Sequence, residues 1–456
     1  MNKIAVVFPV DRSNRWSLVA LAASFQRNQP SGSDLFWLDN PSTSNLIETT
    51  KSLLDKYEKV VLAYSFMSLR WPQVKKEWEI IRDIFSTRKV FIIAGGAHPT
   101  GAVKSVLEAG CCGVLAGEGE ESFPQVIEYL KNDSSGNVPS GLFRLIDGKI
   151  QGTKARPASG WEESFPFPTK SPLFSPIEIT RGCPFKCAYC ATPVIKGTKV
   201  RHRSIDVIVE AVKFMVKFGK KDVRFITPNA LSYGSSTGRD PSPEILDLLL
   251  GSIRRVLPPD GRIFFGSFPS EVRPEFVTEE TLTIMKNYCA NKQIVVGAQS
   301  GSERMLRMMR RGHTVEDVLK ACEMLIRFGF VPAVDMIFGL PGEKEEDVQA
   351  SLKVMDKLSQ MGARIHAHYF MPLPGSRWAG LHPTPIPGHL KRQMEQLIAR
   401  GKLFGQWMHQ ERFVQSYYFT EDDRKVASTV MPSECEASLE EPPRYRSGCS
   451  MSIVKG

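Results

Sequence analysis

The first 150 residues alternate between short apolar runs and longer segments in which apolar side chains recur at helical spacing. The runs are rich in Val, Ile, Leu and Phe and are bounded by Gly, Pro, Asp and Ser, which is typical of buried strands. They cover residues 4–10, 34–38, 59–66, 89–96 and 113–117. Strands that alternate with helices in this way predict a doubly wound, Rossmann-like parallel sheet, in which ligands bind beyond the carboxyl ends of the strands.

A second series of strand–helix units follows a Pro- and Ser-rich linker near residues 156–175. Six apolar runs predict its strands, at residues 176–180, 222–227, 262–267, 293–299, 331–339 and 364–370. Residues typical of helix N-termini lie between these predicted strands. Ser204 precedes helical apolar spacing up to residue 218, and Thr278 and Thr314 precede acidic first turns. The pattern predicts a second α/β unit of six strand–helix repeats.

Beyond residue 380 the pattern becomes less regular. Prolines at 383–387 lead into a predicted helix at residues 388–413, and the chain is polar after it. We therefore predict a Rossmann-like domain at residues 1–150, a linker at 151–175, a core at 176–380 and a small helical or irregular region at 381–456. The last region is expected to cap the core and shape the substrate entrance. Its cysteines, Cys435 and Cys449, lack the spacing of a metal site.

Composition and charge narrow the range of functions without selecting one. The 456 residues are 42% hydrophobic and 24% charged, as in an ordinary globular protein, and the net charge of +10 suggests an acidic partner or an anionic cofactor. The basic residues form no long tract, so nucleic acid binding is not indicated. Nine cysteines are too few for a secreted disulfide scaffold. The N-terminal apolar run is too short for a signal peptide and no stretch could span a bilayer, so we expect a cytoplasmic protein without membrane contact.

Three of the cysteines form the pattern C-x3-C-x2-C at Cys183, Cys187 and Cys190. Three thiols in so short a loop cannot pair without leaving one over. They can give one thiolate to each of three irons of a [4Fe–4S] cluster and leave the fourth iron open. Structural zinc is the alternative, but zinc sites normally have four protein ligands, and no fourth cysteine stands nearby.

The segment Thr-Arg-Gly-Cys-Pro-Phe-Lys-Cys-Ala-Tyr-Cys at residues 180–190 closely resembles the cluster-binding loop of radical S-adenosylmethionine (SAM) enzymes. Gly-Ala-Gln-Ser-Gly at 297–301 and Val-Asp-Met-Ile-Phe-Gly-Leu-Pro-Gly at 334–342 resemble two further segments of that family. The resemblance implies that the core is a partial (β/α)6 barrel with the cysteine loop after its first strand. It also implies that the open iron binds the amino and carboxylate groups of SAM, and that an electron from an external donor cleaves SAM to a 5′-deoxyadenosyl radical.

The same resemblance implies which residues contact SAM. Gln299 and Ser300 are expected to bind hydroxyl groups, while Arg273 binds the SAM carboxylate through two N–H groups and Glu271 binds the amine or ribose. The remaining candidates are Tyr189, Met336 and Ile337, which are expected near the adenine, and Asn229, which follows the second strand.

The N-terminal loops Gly-Gly-Ala-His-Pro at 95–99 and Gly-Glu-Gly-Glu-Glu at 117–121 resemble the cobalamin-binding domains that precede many radical SAM cores. Paired glycines let backbone approach a bulky corrin closely. The loop at 11–16 lacks the histidine that binds cobalt in cobalamin mutases, so the resemblance implies cobalamin without a histidine ligand. The expected cobalamin contacts are Tyr64, Ser65, Met67, Gly95, Gly96, His98, Gly117 and Glu118. A flavodoxin-like scaffold without cobalamin is the alternative.

Together these resemblances imply a cobalamin-dependent radical SAM methyltransferase of archaeal type, which transfers a methyl group to an unactivated sp³ carbon and needs no side-chain base. Some such enzymes modify a protein, so we expect a protein or peptide substrate, with the glutamine of methyl-coenzyme M reductase as the specific candidate. The alternatives are ring contraction or cyclisation with cobalamin, and tRNA modification. Methylthiotransferases that modify tRNA carry three separated N-terminal cysteines, whereas Cys111 and Cys112 are adjacent here.

Overall fold

The computed structural model describes residues 3–417. Its N-terminal part is a seven-stranded sheet with the order β2-β1-β3-β4-β5-β6-β7. The strands are β1 Ile4–Val10, β2 Ser33–Asp39, β3 Lys59–Ser65, β4 Val90–Gly95, β5 Gly113–Leu115, β6 Leu142–Ile146 and β7 Lys149–Gly152. The first five are parallel, as predicted, whereas β6 and β7 form an antiparallel hairpin that the apolar pattern did not reveal.

Helices cover both faces of this sheet. They are α1 Arg15–Arg27, α2 Thr43–Leu54, α3 Trp71–Ile84, α4 Ala97–Gly101, α5 Val103–Glu108 and α6 Ser122–Lys131. Alternate residues of β1 point to opposite sides. Ala5 and Val7 belong to one apolar core, and Val6 and Phe8 belong to the other. The sheet is therefore doubly wound.

The second part is built on a curved row of parallel strands. Its strands are β8 Ile177–Glu178, β9 Thr180–Arg181, β10 Arg201–His202, β11 Asp222–Ile226, β12 Arg262–Phe264, β13 Gln293–Gln299, β14 Val331–Phe338, β15 Arg364–Tyr369 and β16 Leu403–Phe404. Two parallel sheets, β12-β11-β8 and β13-β14-β15-β16, are linked by the bridges Thr227–Ser270 and Val272–Val296. Strands β9 and β10 form a separate antiparallel pair. The six predicted strands all lie in this row.

The helices of this part are α7 Thr192–Lys196, α8 Ile205–Lys217, α9 Pro243–Val256, α10 Glu279–Tyr288, α11 Glu303–Met308, α12 Val315–Arg327, α13 Glu345–Gln360, α14 Gly388–Ala399 and α15 Trp407–Tyr417. The predicted starts are confirmed for α8, α10 and α12. The Ser204 hydroxyl accepts the Val207 N–H, and Thr278 and Thr314 form capping boxes.

The helix predicted at residues 388–413 is wrong in extent. The chain forms α14 and α15 with the short strand β16 between them, because Gly401 and Gly405 take positive φ values of 67° and 124°. Strand β16 joins β15, so the barrel sheet draws on chain beyond residue 380. The domain limits themselves stay a prediction, and Cys435 and Cys449 lie outside the described residues. No helix in residues 3–417 is long and apolar enough to cross a membrane.

Candidate functional site

The three cysteines of the motif line one cavity of about 380 Å³ at the carboxyl ends of the barrel strands. Their loop follows β9 through Gly182, whose φ is 82° and whose position has no room for a Cβ, since one would lie 2.0 Å from the Lys199 carbonyl oxygen. The Cys183 N–H donates to the Gly197 carbonyl at 3.1 Å and fixes the start of the loop. Burial raises the pKa of Cys183 and Cys190, so a bound metal is needed to hold them as thiolates.

Two arginines approach the sulfur of Cys187. Arg311 Nη1 lies 3.6 Å from Cys187 Sγ and Arg273 Nη1 lies 3.9 Å from it. Arg311 also donates to the Gly297 carbonyl at 2.8 Å, and both side chains are buried. Three thiols, with two buried cations facing one of them, fit an anionic, thiolate-bound iron–sulfur cluster. Arg311 was missed at the sequence level because it lies in a turn without a recognisable motif.

Arg273 has contacts that the sequence did not predict. Its Nε donates to Glu275 Oε1 at 2.6 Å, one Nη donates to the Arg311 carbonyl and the other faces Cys187. These contacts occupy three of the five guanidinium N–H groups and leave one on each Nη, so the predicted contact with a SAM carboxylate stays a prediction. The structure also places Arg273 beside the cluster cysteines.

Five predicted SAM contacts line the cysteine cavity: Tyr189, Glu271, Arg273, Gln299 and Ile337. Tyr189 and Ile337 pack against the same apolar cluster. Gln299 follows a register shift in β13 and has a φ of 73°, which turns the chain at the end of the strand. These residues form a wall with apolar and polar parts, as an adenosine-containing ligand requires.

Three further candidates do not line this cavity. Met336 is fully buried in the core outside the strand, because alternation along β14 sends it away from the side that Ile337 faces. Ser300 is buried with its hydroxyl 3.3 Å from that of Ser351 on α13. Asn229 accepts the backbone N–H of Arg273 at 3.2 Å and holds the turn after β11. All three residues therefore lie outside the cavity lining, in the structure that carries it.

The cavity lining also contains acidic residues and a histidine, His368, that the sequence reasoning missed, and His366 stands beside them. Burial, with the charge of Asp335, raises the pKa of Glu271 to about 7. Burial opposes ionisation of Asp335 too, but the hydrogen bond from His366 and the nearby imidazole of His368 outweigh it and hold the pKa of Asp335 below the ordinary value. The alternation of β15 could have revealed the two histidines, because both fall on the face that Asp335 approaches.

A second cavity of about 200 Å³ lies at the carboxyl ends of β1 and β3, where the strand order of the Rossmann-like sheet reverses. Tyr64 and Ser65, both predicted as cobalamin contacts, line it together with Asp11, Arg70 and Glu77. The Tyr64 hydroxyl donates to Glu77. This is the position at which doubly wound sheets bind ligands.

Large apolar side chains are exposed beside the two cavities. Met67 is 50% exposed and Phe268 is 70% exposed. The ring of Trp16, from the N-terminal part, lies 5.8 Å from that of Phe268, from the barrel. Phe268 directly precedes Pro269, which lines the cysteine cavity. An apolar contact thus joins the two parts of the chain next to the cysteine cavity.

The predicted glycines lie at the same edge of the sheet. Gly96 has a φ of 90°, and a Cβ there would lie 2.6 Å from the Ser65 hydroxyl. A Cβ on Gly95 would lie 3.3 Å from the Leu115 carbonyl, and Gly117 has a φ of 80°. A side chain at Gly96 would press into the end of β3.

His98 is packed inside the N-terminal part. Its ring lies 5.6 Å from Phe66 and 5.3 Å from Trp71, and its Nδ1 is 3.0 Å from the Ser68 hydroxyl. Burial lowers its pKa to about 4, so it is neutral at physiological pH. His98 does not line the N-terminal cavity.

Glu118 also differs from its predicted role. Its side chain is 2% exposed, and its two oxygens pair with Arg181, at 2.9 Å, and with Arg201. It also accepts the Ala158 N–H at 3.0 Å. Because both oxygens are occupied, Glu118 joins the N-terminal part to the strand before the cysteines rather than facing a corrin.

Comparison with known proteins agrees with this geometry. The family model of the Radical SAM superfamily matches residues 177–355. The tRNA-2-methylthio-N(6)-dimethylallyladenosine synthase of Pelobacter propionicus is 31% identical over 231 residues, 50% of this chain and 50% of that protein. That of Geobacter sulfurreducens is 31% identical over 241 residues, 52% of this chain and 50% of that protein. The chain thus spans about half the length of these curated relatives.

Two solved structures share the fold over most of the chain. The radical SAM methyltransferase TsrM from Kitasatospora setae, with cobalamin and a [4Fe–4S] cluster bound, has a TM-score of 0.66 at 15% identity, covering 83% of this chain and 77% of its own. The cobalamin-dependent SAM radical enzyme OxsB, with aqua-cobalamin bound, has a TM-score of 0.63 at 13% identity, covering 91% and 56%. The chain is therefore an enzyme with a radical SAM domain, whose superfamily uses SAM and a [4Fe–4S] cluster, in an α/β fold like those of TsrM and OxsB.

Proposed function

We propose that the protein is a cobalamin-dependent radical SAM C-methyltransferase. It would methylate an unactivated sp³ carbon of a protein or peptide residue, and the glutamine of methyl-coenzyme M reductase is the specific candidate. The observation that carries the proposal is a cavity at the carboxyl edge of each part of the chain, with the contact of Trp16 and Phe268 between the two parts. A flat, bulky cofactor between a Rossmann-like sheet and a cysteine-lined barrel would cover these exposed apolar side chains.

The residues of the chain would bind and orient the reacting groups. Cys183, Cys187 and Cys190 would hold the cluster, and Arg273 and Arg311 would balance its negative charge. When bound, the cluster and SAM supply a carbon-centred radical and cobalamin supplies a methyl group. An external electron donor and the protein substrate are the partners that this chemistry requires.

Four side chains of the cavity wall would bind SAM. Glu271 and Gln299 would bind its polar groups, and Tyr189 and Ile337 would contact its adenine. Burial raises the pKa of Tyr189 well above its ordinary value, so its phenol stays neutral beside the ligand. None of these roles requires transfer of a proton.

A second candidate, tRNA modification, is favoured by the sequence likeness to the two tRNA-2-methylthio-N(6)-dimethylallyladenosine synthases. The methylthiotransferases need a second cluster in the N-terminal domain. Two observations argue against one here: Cys111 and Cys112 are adjacent, and burial raises the pKa of Cys111 to about 12. Ring contraction or cyclisation with cobalamin is the remaining alternative.

The test is to incubate anaerobically reconstituted protein with methyl-labelled SAM, methylcobalamin, a reductant and either peptide or tRNA substrates. We expect labelled methyl on the peptide and release of 5′-deoxyadenosine, both detected by mass spectrometry. Cys187→Ala should abolish both products, whereas Cys289→Ala, a cysteine outside the cavity, should keep them. Labelling of tRNA would support the second candidate, and deoxyadenosine without methyl transfer would support ring contraction or cyclisation. Cluster-loaded protein that makes no deoxyadenosine would contradict all three.

A further inference from the structure

Asp335, His366 and His368 converge at one point in the barrel. Asp335 lies on β14 directly opposite His366 on β15, and His368 follows two residues later on the same face of that strand. Asp335 and His368 line the cavity that also contains the three cysteines. No role in binding the cluster, SAM or cobalamin has been given to these three side chains above.

The donor atoms of the three side chains point toward each other. His366 Nδ1 lies 2.9 Å from Asp335 Oδ1, and His368 Nε2 lies 3.8 Å from the same oxygen. One ligand atom from each of the three residues lies within 4.8 Å of the others. The two imidazole rings are 4.2 Å apart with an angle of 70° between their planes. Two imidazole nitrogens around one carboxylate oxygen are the ligand types that zinc and iron(II) prefer.

Packing holds His366 in position. The ring of His366 stacks on Phe404 of β16 at 4.8 Å with an interplanar angle of 15°. A Cβ on the following residue, Gly405, would lie 2.8 Å from a ring carbon of His366, so a glycine there makes room for the imidazole. Asp335 is only 5% exposed. A buried carboxylate beside a stacked imidazole and a second imidazole 4.2 Å from the first is a ligand set formed before any ion binds.

We propose that Asp335, His366 and His368 form a second metal site, which binds one divalent transition metal ion such as Zn²⁺ inside the barrel. Three protein ligands leave a coordination position open toward the cavity, where an oxygen of the substrate can bind the ion. This site goes beyond the proposed methyl transfer, because it depends on neither cobalamin nor SAM.

The experiment measures zinc on cluster-loaded protein. Wild-type protein is reconstituted with iron and sulfide, treated with a chelator, desalted, titrated with Zn²⁺ and analysed by elemental mass spectrometry. We expect one tightly held zinc per chain, with the iron content and the cluster absorption unchanged. His366→Ala and His368→Ala should each weaken zinc binding at least tenfold while keeping the iron. His389→Ala, which removes an exposed histidine paired with Glu345, is the matched control and should bind zinc like the wild type.

Two results would overturn the site. One is a wild-type protein that keeps its iron but retains no zinc, which would leave the three residues as a hydrogen-bonded cluster. The other is equal zinc affinity in the wild type and both histidine variants, which would place the ion elsewhere. If an alanine variant fails to fold, the isosteric Asp335→Asn, checked by its iron content, should show the same loss of zinc.

Discussion

At the residue scale, the environment of Cys187 distinguishes this site from a plain thiol cluster. Arg311 is buried, and its described hydrogen bonds go to the Cys187 sulfur and the Gly297 carbonyl. A cation that donates to a cluster-ligating sulfur stabilises the reduced, more negative cluster more than the oxidised one. Arg311 should therefore raise the reduction potential.

Replacing Arg311 with Met removes this charge and both hydrogen bonds. We expect the cluster to assemble and its midpoint potential to fall by roughly 50 mV, which for one electron corresponds to slightly over 1 kcal/mol. The midpoint potential is measured by a redox titration that is monitored by electron paramagnetic resonance. Arg307→Met, on the exposed face of α11, should leave the potential unchanged. Identical potentials for Arg311→Met and wild type would mean that the contact is absent once the cluster is bound.

His98 predicts a pH dependence of stability. Its folded pKa of about 4 lies below the ordinary value of 6.5, so the unfolded chain binds more protons between these pH values and stability falls as the pH drops through this window. Protonation linked to His98 alone should lower the free energy of unfolding by about 2 kcal/mol when the pH falls from 7.5 to 5. Urea unfolding at the two pH values should therefore show a smaller loss for His98→Asn than for the wild type. Equal losses would place His98 in contact with water.

The sequence predicted which residue types form the site better than it predicted which way their side chains point. The cysteine motif stands in one short loop, so its three side chains could only lie close together, and they do. Met336 and Ile337 were both assigned to the adenine, yet neighbours on a strand face opposite sides. Arg311 and His368 reach the cavity from separate elements, and only the folded chain brings them together.

At the scale of elements, strand β9 connects the N-terminal part with the cluster loop. Arg181, the residue before Gly182, is 1% exposed and pairs with Glu118 at 2.9 Å, with Glu178 at 2.6 Å and with Glu120. Burial would raise the pKa of Glu178, but the charge of Arg181 outweighs it and the pKa lies below the ordinary value. Three carboxylates around one buried guanidinium fix the strand that positions Cys183.

Arg181→Met would remove the buried cation that these three carboxylates share and leave only Arg201, beside Glu118, and Lys196, 3.7 Å from Glu178. Breaking a buried ion pair by removing one partner costs about 3–5 kcal/mol, so we expect a loss of that size in the free energy of unfolding, measured with urea. The matched control is Arg262→Met, which removes an exposed arginine from its pair with Asp222 and should cost about 0–1 kcal/mol. Equal losses for the two variants would show that the network around Arg181 is hydrated.

The elements that the sequence reasoning missed are the short ones. Hairpin β6–β7 and strand β16 have few residues, and their apolar spacing is too brief to separate from a loop or helix. Strand β16 forms because Leu403 and Phe404 pair with β15 after the turn at Gly401, a long-range contact that no local pattern encodes. The long strands β13 and β14 were predicted from nearly continuous apolar runs, and β15 from its alternation of apolar and polar residues.

At the scale of the whole molecule, the carboxyl edges of the Rossmann-like sheet and of the barrel come together. Each edge has a cavity, and the contact of Trp16 with Phe268 crosses between the two parts. Met67 and Phe268 are exposed, and a ligand bound between the two parts would remove their apolar surface from water. The arrangement therefore predicts where cobalamin should bind if the proposed function is right.

Phe268→Ala should weaken cobalamin binding and leave the cluster intact. Covering a phenylalanine side chain contributes about 1.5–3 kcal/mol, so the dissociation constant should rise roughly tenfold or more. Equilibrium dialysis with hydroxocobalamin measures this, and the iron content of the same samples reports the cluster. Leu248→Ala, on α9, removes another exposed apolar side chain that lines neither cavity, and should bind cobalamin as the wild type does. If Phe268→Ala keeps full affinity, the corrin does not lie between the two cavities, and the apolar contact at Trp16 serves only to join the two parts of the chain.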